Sequence, residues 1–111
     1  MNAKDSPCQD QPGGAEQAAC FQSAFQKSDA AMNLLYQRVR GVVDGTEFLK
    51  LKKAQQLWIQ YREASCSAES ELYAGGSAYS MVKLACLEAL TRHRTEELKA
   101  MYGWRLEKWD K

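Results

Sequence analysis

The chain has 111 residues, 45% hydrophobic and 26% charged, an ordinary globular composition for one domain that buries about two-thirds of its unfolded surface. Lys and Arg total 15 against 14 Asp and Glu, a formal charge of +1, so the basic excess that accompanies duplex binding is missing. No apolar run approaches the ~18 residues of a membrane span, and Met1-Asn2-Ala3-Lys4-Asp5 leads into no apolar signal core. For an exported protein, this numbering is expected to be that of the mature chain.

Residues 1–16 read as an irregular lead-in, because Ser6-Pro7 and Pro12-Gly13-Gly14 are breakers in quick succession. From Gln17 to about Val43 the apolar spacing of Phe21, Ala24, Phe25, Met32, Leu35, Tyr36, Val39 and Val42 predicts a first helix. Asp44-Gly45 is a turn signal, and Thr46 is the expected N-cap of the next helix.

The second helix is expected over about 46–72, with an apolar stripe of Leu51, Ala54, Leu57, Trp58, Tyr61 and Ser65. Gln56, Gln60 and Glu63 lie off that stripe and face water. Trp58 and Tyr61 are read as core, each able to cover about 150–250 Å² when buried. Ala74-Gly75-Gly76 breaks the helix, and Ser77 is the expected cap of a third helix over about 78–101. Gly103 is a candidate C-cap. Residues 104–111 then form a tail whose Trp104, Leu106 and Trp109 either dock on the core or stay exposed. With no strand-like alternation, the expected fold is all-α: an antiparallel three-helix bundle.

Cys8, Cys20, Cys66 and Cys86 allow three pairings. There is no Cys-x-x-Cys, and the single His93 is near Cys86 alone, which disfavours a metal site. An even count in a small domain points to two disulfides rather than four reduced thiols, hence to the periplasm or the cell exterior. If the second turn centres on Gly76, Cys66 and Cys86 each lie ten residues from it, about 15 Å along facing helices. That geometry favours Cys66–Cys86 with Cys8–Cys20 over Cys20–Cys66 with Cys8–Cys86. Closing a loop of this size stabilises by about 3 kcal/mol in the chain-entropy model.

Four groups of residues carry a resemblance: Asp29-x-x-x-Asn33-x-x-Tyr36; Ala54-Gln55-Gln56-Leu57-Trp58-Ile59-Gln60-Tyr61-Arg62-Glu63-Ala64-x-Cys66; Gly75-Gly76-Ser77; and Cys86-Leu87-x-x-x-Thr91-x-x-Arg94-x-x-x-Leu98. Over about residues 17–103 the chain resembles the LprI-like lysozyme-inhibitor N-terminal domain. The resemblance implies a helical, disulfide-bonded, exported domain that binds a protein, a lysozyme in the member that names the family. No lipobox is present.

Asp29, Asn33, Tyr36, Gln55, Trp58, Tyr61, Arg62 and Arg94 are read as structural. Arg62 and Arg94 are expected to pair with acids such as Asp29 or Glu63, the other reading being an anion site. Asn33 is expected to hydrogen-bond across helices or to a loop carbonyl, and His93 to be solvated. Catalysis has little footing: no Ser or Cys has a neighbouring His, no carboxylate pair stands out, and nothing calls for a cofactor.

An inhibitor of lysozyme has to answer two carboxylates in a cleft. The hairpin between the second and third helices, with Ser67, Ser70, Tyr73, Gly75, Gly76 and Ser77 and with Tyr79 and Ser80 beside it, carries suitable donors. Glu69 and Glu71 suit a basic enzyme. The plainer reading is that the glycines and Ser77 only turn the chain. The alternative function is a periplasmic interaction or envelope-stress module that binds through Trp104, Leu106 and Trp109.

Overall fold

The computed structural model describes residues 7–8 and 14–109, and these form three α-helices joined by short connections. The breakers at Pro12 and Gly13 and the side chain of Trp109 lie outside the described residues. Helix α1 spans Gly14–Arg40, α2 Gly45–Ser70 and α3 Tyr79–Trp109, and there is no strand among the described residues. The helices run antiparallel in sequence order and make a flat, elongated body of 46 × 25 × 18 Å. Among the described residues no helix is long and apolar enough to cross a membrane.

Each connection has a local cause. Asp44, with extended φ and ψ of −78° and 175°, caps α2 by accepting from the Glu47 N–H at 2.8 Å. Thr46, the expected cap, already lies inside the helix, because the Asp44 carboxylate reaches the free N–H groups first. At the second turn Gly75 takes φ +80°, a region that L side chains avoid. Gly76 brings its backbone so near the Tyr73 carbonyl that an added Cβ would stand 3.2 Å away. Helix α3 begins with the Ala78 carbonyl accepting from the Val82 N–H at 3.0 Å, so Ala78 and not Ser77 holds the cap position. At its far end α3 runs straight through Gly103 to Trp109. A glycine inside a helix costs about 1 kcal/mol, and burial of Leu106 in the main core offsets this.

Two apolar clusters hold the helices. The larger joins Met32, Leu35 and Val39 of α1 to Leu51 of α2 and Leu98 and Leu106 of α3. The smaller gathers Leu87, Phe25 and Leu90 around the buried Cys66–Cys86 bridge. That bridge spans 5.4 Å between Cα atoms, and Cys8–Cys20 spans 5.8 Å. Both pairings are those expected, and they suit an oxidising compartment.

The orientation of α2 departs from expectation. Its buried line is Leu51, Gln55, Arg62, Cys66 and Ser70, with Trp58 half-buried on the same side. Ala54 is exposed, Leu57 is 51% exposed and Tyr61 58%. At about 100° per residue this is a roll of roughly a quarter-turn away from the apolar stripe. The physical reason is that Gln55 and Arg62 find partners on the other two helices, and Cys66 must face Cys86.

Candidate functional site

Between the two apolar clusters lies a polar layer built from the motif residues. Arg62 of α2 donates to Asp29 of α1 at 3.0 Å and to the Thr91 hydroxyl of α3 at 2.9 Å, joining all three helices. Its guanidinium lies over the rings of Phe25 and Trp58, at 5.3 and 5.1 Å. The expected acid Glu63 stands farther off, at 4.0 Å. Arg94 donates to the Gln55 side-chain oxygen at 3.0 Å and to Glu97 at 3.3 Å, while the Gln55 amide reaches the Met32 sulfur at 3.6 Å. Nearby, buried Glu88 accepts from Ser28 at 2.8 Å and pairs with Arg92 at 3.2 Å. The arginines are thus occupied inside the bundle, where buried charge must be paired and hydrogen-bonded.

The other motif residues fall nearer the surface. Asn33 donates to Asp29 at 3.5 Å within its own helix, not across helices as expected. Tyr36 is half-buried with its ring 6.1 Å from that of Phe48. Tyr61 is 58% exposed, and His93 is exposed as expected.

The α2–α3 hairpin is the part of the motif set in which a continuous run of residues, 71–77, meets solvent. After Ser70 the chain makes a 3-10 turn over Glu71–Tyr73. The Ala74 N–H donates to the Glu71 carbonyl at 3.0 Å and the Gly76 N–H to the Tyr73 carbonyl at 2.9 Å. Residues 71–77 are all exposed, Leu72 to 85%. The Cys66–Cys86 bridge closes the base of this excursion, and successive turn hydrogen bonds order its tip. Tyr73, Gly75, Gly76 and Ser77 lie in this exposed segment with Glu71, and Ser67 and Glu69 are exposed on the last turn of α2 before it. Ser70 does not join them. It is wholly buried, its hydroxyl donating to the Cys66 carbonyl at 2.7 Å, so it finishes α2 rather than facing a partner.

Beside the hairpin, the starts of α1 and α3 enclose an open groove of about 630 Å³. Phe25, Leu84 and Leu87 give it apolar walls, and Gln22, Lys83 and Tyr79 lie at its polar margins. Apart from Tyr79 and Ser80, which border the hairpin, these residues were invisible as a site in the sequence. They come from two helices, and no motif links them. The tail residues separate: Leu106 is buried in the main core, whereas Trp104 is exposed with the Arg105 guanidinium 5.3 Å from its ring.

Residues 8–98 match the family model described as lysozyme inhibitor LprI, and the chain belongs to that family. A protein of Rhizobium meliloti, described as uncharacterised, is 33% identical over 95 residues, covering 74% of this chain and 68% of its own length. No solved structure matches.

Proposed function

We propose that this protein binds and inhibits a lysozyme through the α2–α3 hairpin, outside the cytoplasm, in the periplasm or the medium. The observation that carries the reading is the continuous exposed segment 71–77 on a disulfide-closed base, in a chain of the lysozyme-inhibitor family. A glycosidase cleft of this kind offers one carboxylic acid and one carboxylate across a sugar-binding trough. The Tyr73 and Ser77 hydroxyls supply donors for the carboxylate, and Leu72 and Tyr73 supply apolar surface for the sugar-stacking walls. Because the base is crosslinked, little conformational freedom remains to be lost on binding. Glu69 and Glu71 favour approach to a basic enzyme at low salt. The role is that of a ligand for an enzyme; no step of bond chemistry falls to this chain.

The test is inhibition of muramidase activity of c-type and g-type lysozymes by the oxidised protein, its bridges verified by non-reducing peptide mapping. Tyr73→Ala with Ser77→Ala should relieve inhibition while leaving the thermal midpoint unchanged, since both side chains stand outside the core. Failure of a folded, correctly bridged sample to slow either enzyme overturns the reading.

A further inference from the structure

The apolar stripe that the monomer leaves uncovered on α2 has a regular form. Lys50, Ala54, Leu57, Tyr61, Ala64 and Ala68 of α2, and Glu71 at its C-cap, follow one another at steps of four and three, and every one of them is exposed. Alternating steps of four and three make a 3.5-residue period, the spacing of a seam that meets a second helix along its length. Single exposed apolar residues are commonplace on a protein surface. A seam with five successive uncharged positions, bounded by a cation at one end and an anion at the other, is not. Lys50 and Glu71 have no ion-pair partner among the described residues.

We propose that two copies of this chain associate through this seam as an antiparallel, two-fold dimer of α2 helices. In such a dimer, positions equidistant from the midpoint between Gln60 and Tyr61 oppose one another. Lys50 then meets Glu71 of the partner subunit, and the two-fold axis repeats the pair at the other end. Leu57 faces Ala64 of the partner subunit, a large side chain over a small one, and Ala54 lies by Ser67 and Ala68 of the partner subunit. Tyr61 reaches Tyr61 of the partner subunit near the axis. The paired span from Lys50 to Glu71 is about 32 Å at 1.5 Å per residue. A parallel arrangement would set Lys50 against Lys50 and Glu71 against Glu71 and leave the alanines without large neighbours, so charge and volume both select the antiparallel one. The seam contains neither Tyr73 nor Ser77; Glu71 alone belongs to both the seam and the hairpin segment, so Leu57→Glu, which lies outside the hairpin, separates the dimer from lysozyme binding.

Sedimentation equilibrium of the full oxidised chain, from low micromolar to millimolar concentration, tests this. The expected result is a concentration-dependent monomer–dimer equilibrium. Leu57→Glu should remove the dimer while leaving the thermal midpoint of the monomer unchanged, because Leu57 lies outside the core. Lys50→Glu should weaken association about tenfold, and Lys50→Glu combined with Glu71→Lys should restore it. Tyr61→Cys should give a disulfide-linked dimer on mild oxidation, since that position lies near the axis. A monomer at every concentration overturns the proposal. So does a dimer insensitive to Leu57→Glu, or a charge exchange that fails to restore association.

Discussion

Arg62→Met is the substitution that tells whether the polar layer is held by charge or by packing. The guanidinium gains a charged hydrogen bond to Thr91, worth about 1.5–3 kcal/mol, and two ring contacts of about 0.5–1 kcal/mol each. Its ion pair with Asp29 adds at most about 1 kcal/mol, because the Asp29 side chain is 35% exposed and screened by water. Against these stands desolvation of the charge, several kcal/mol, and Arg62 Nε has no hydrogen-bond partner in its buried position. The opposing contributions nearly cancel. Met keeps most of the packed stem volume while removing both the charge and the orphaned Nε, so the expected loss is about 1–2 kcal/mol. Arg62→Ala also opens a cavity among Phe25, Trp58 and Thr91, and should cost about 3–5 kcal/mol. Urea unfolding of the oxidised variants, followed by far-UV circular dichroism and extrapolated linearly, measures both. A double-mutant cycle with Asp29→Asn should return a coupling of about 1 kcal/mol or less. If Met costs as much as Ala, or the coupling exceeds about 2 kcal/mol, the buried charge governs the layer and this reasoning fails.

Three further outcomes are expected. Asp44→Ala should cost about 1 kcal/mol by removing the α2 cap, whereas Thr46→Ala should stay within about 0.5 kcal/mol; equal losses in thermal unfolding would return the cap to Thr46. Gly75→Ala should destabilise by about 1 kcal/mol, because its φ of +80° strains any side chain, and an unchanged melting temperature would show the turn to be adaptable. Replacing Cys66 and Cys86 together by Ala should lower stability by about 3 kcal/mol and speed proteolysis within 71–77; unaltered cleavage would mean the bridge does not order the hairpin.

What could be read from the chain alone rested on local periodicity and counting. Helical spacing identified α1, α2 and α3, Gly75-Gly76 placed the second turn, and equal distances from Gly76 paired Cys66 with Cys86. These features need only the 1.5 Å rise and one crossing of the chain. Arg62 with Asp29 was also within reach, since a buried cation must find an acid. The resemblance carried by the Gln55–Cys66 block together with Gly75-Gly76-Ser77 and Cys86 led to the right family, whose model matches residues 8–98.

The rest depended on which helices met. Gln55 and Arg62 are buried because Arg94, Thr91 and Asp29 wait on other elements, a fact no window of α2 contains. Counting apolar residues therefore chose Leu57 and Tyr61 for the core and left them a quarter-turn from it. Ser70 turned inward because the Cys66 carbonyl accepted its hydroxyl, and α3 outlasted Gly103 because Leu106 had a core to enter. A sequence states which side chains prefer to be buried. Only the tertiary structure decides which of them are, because Gln55 and Arg62 each meet hydrogen-bond partners on both other helices.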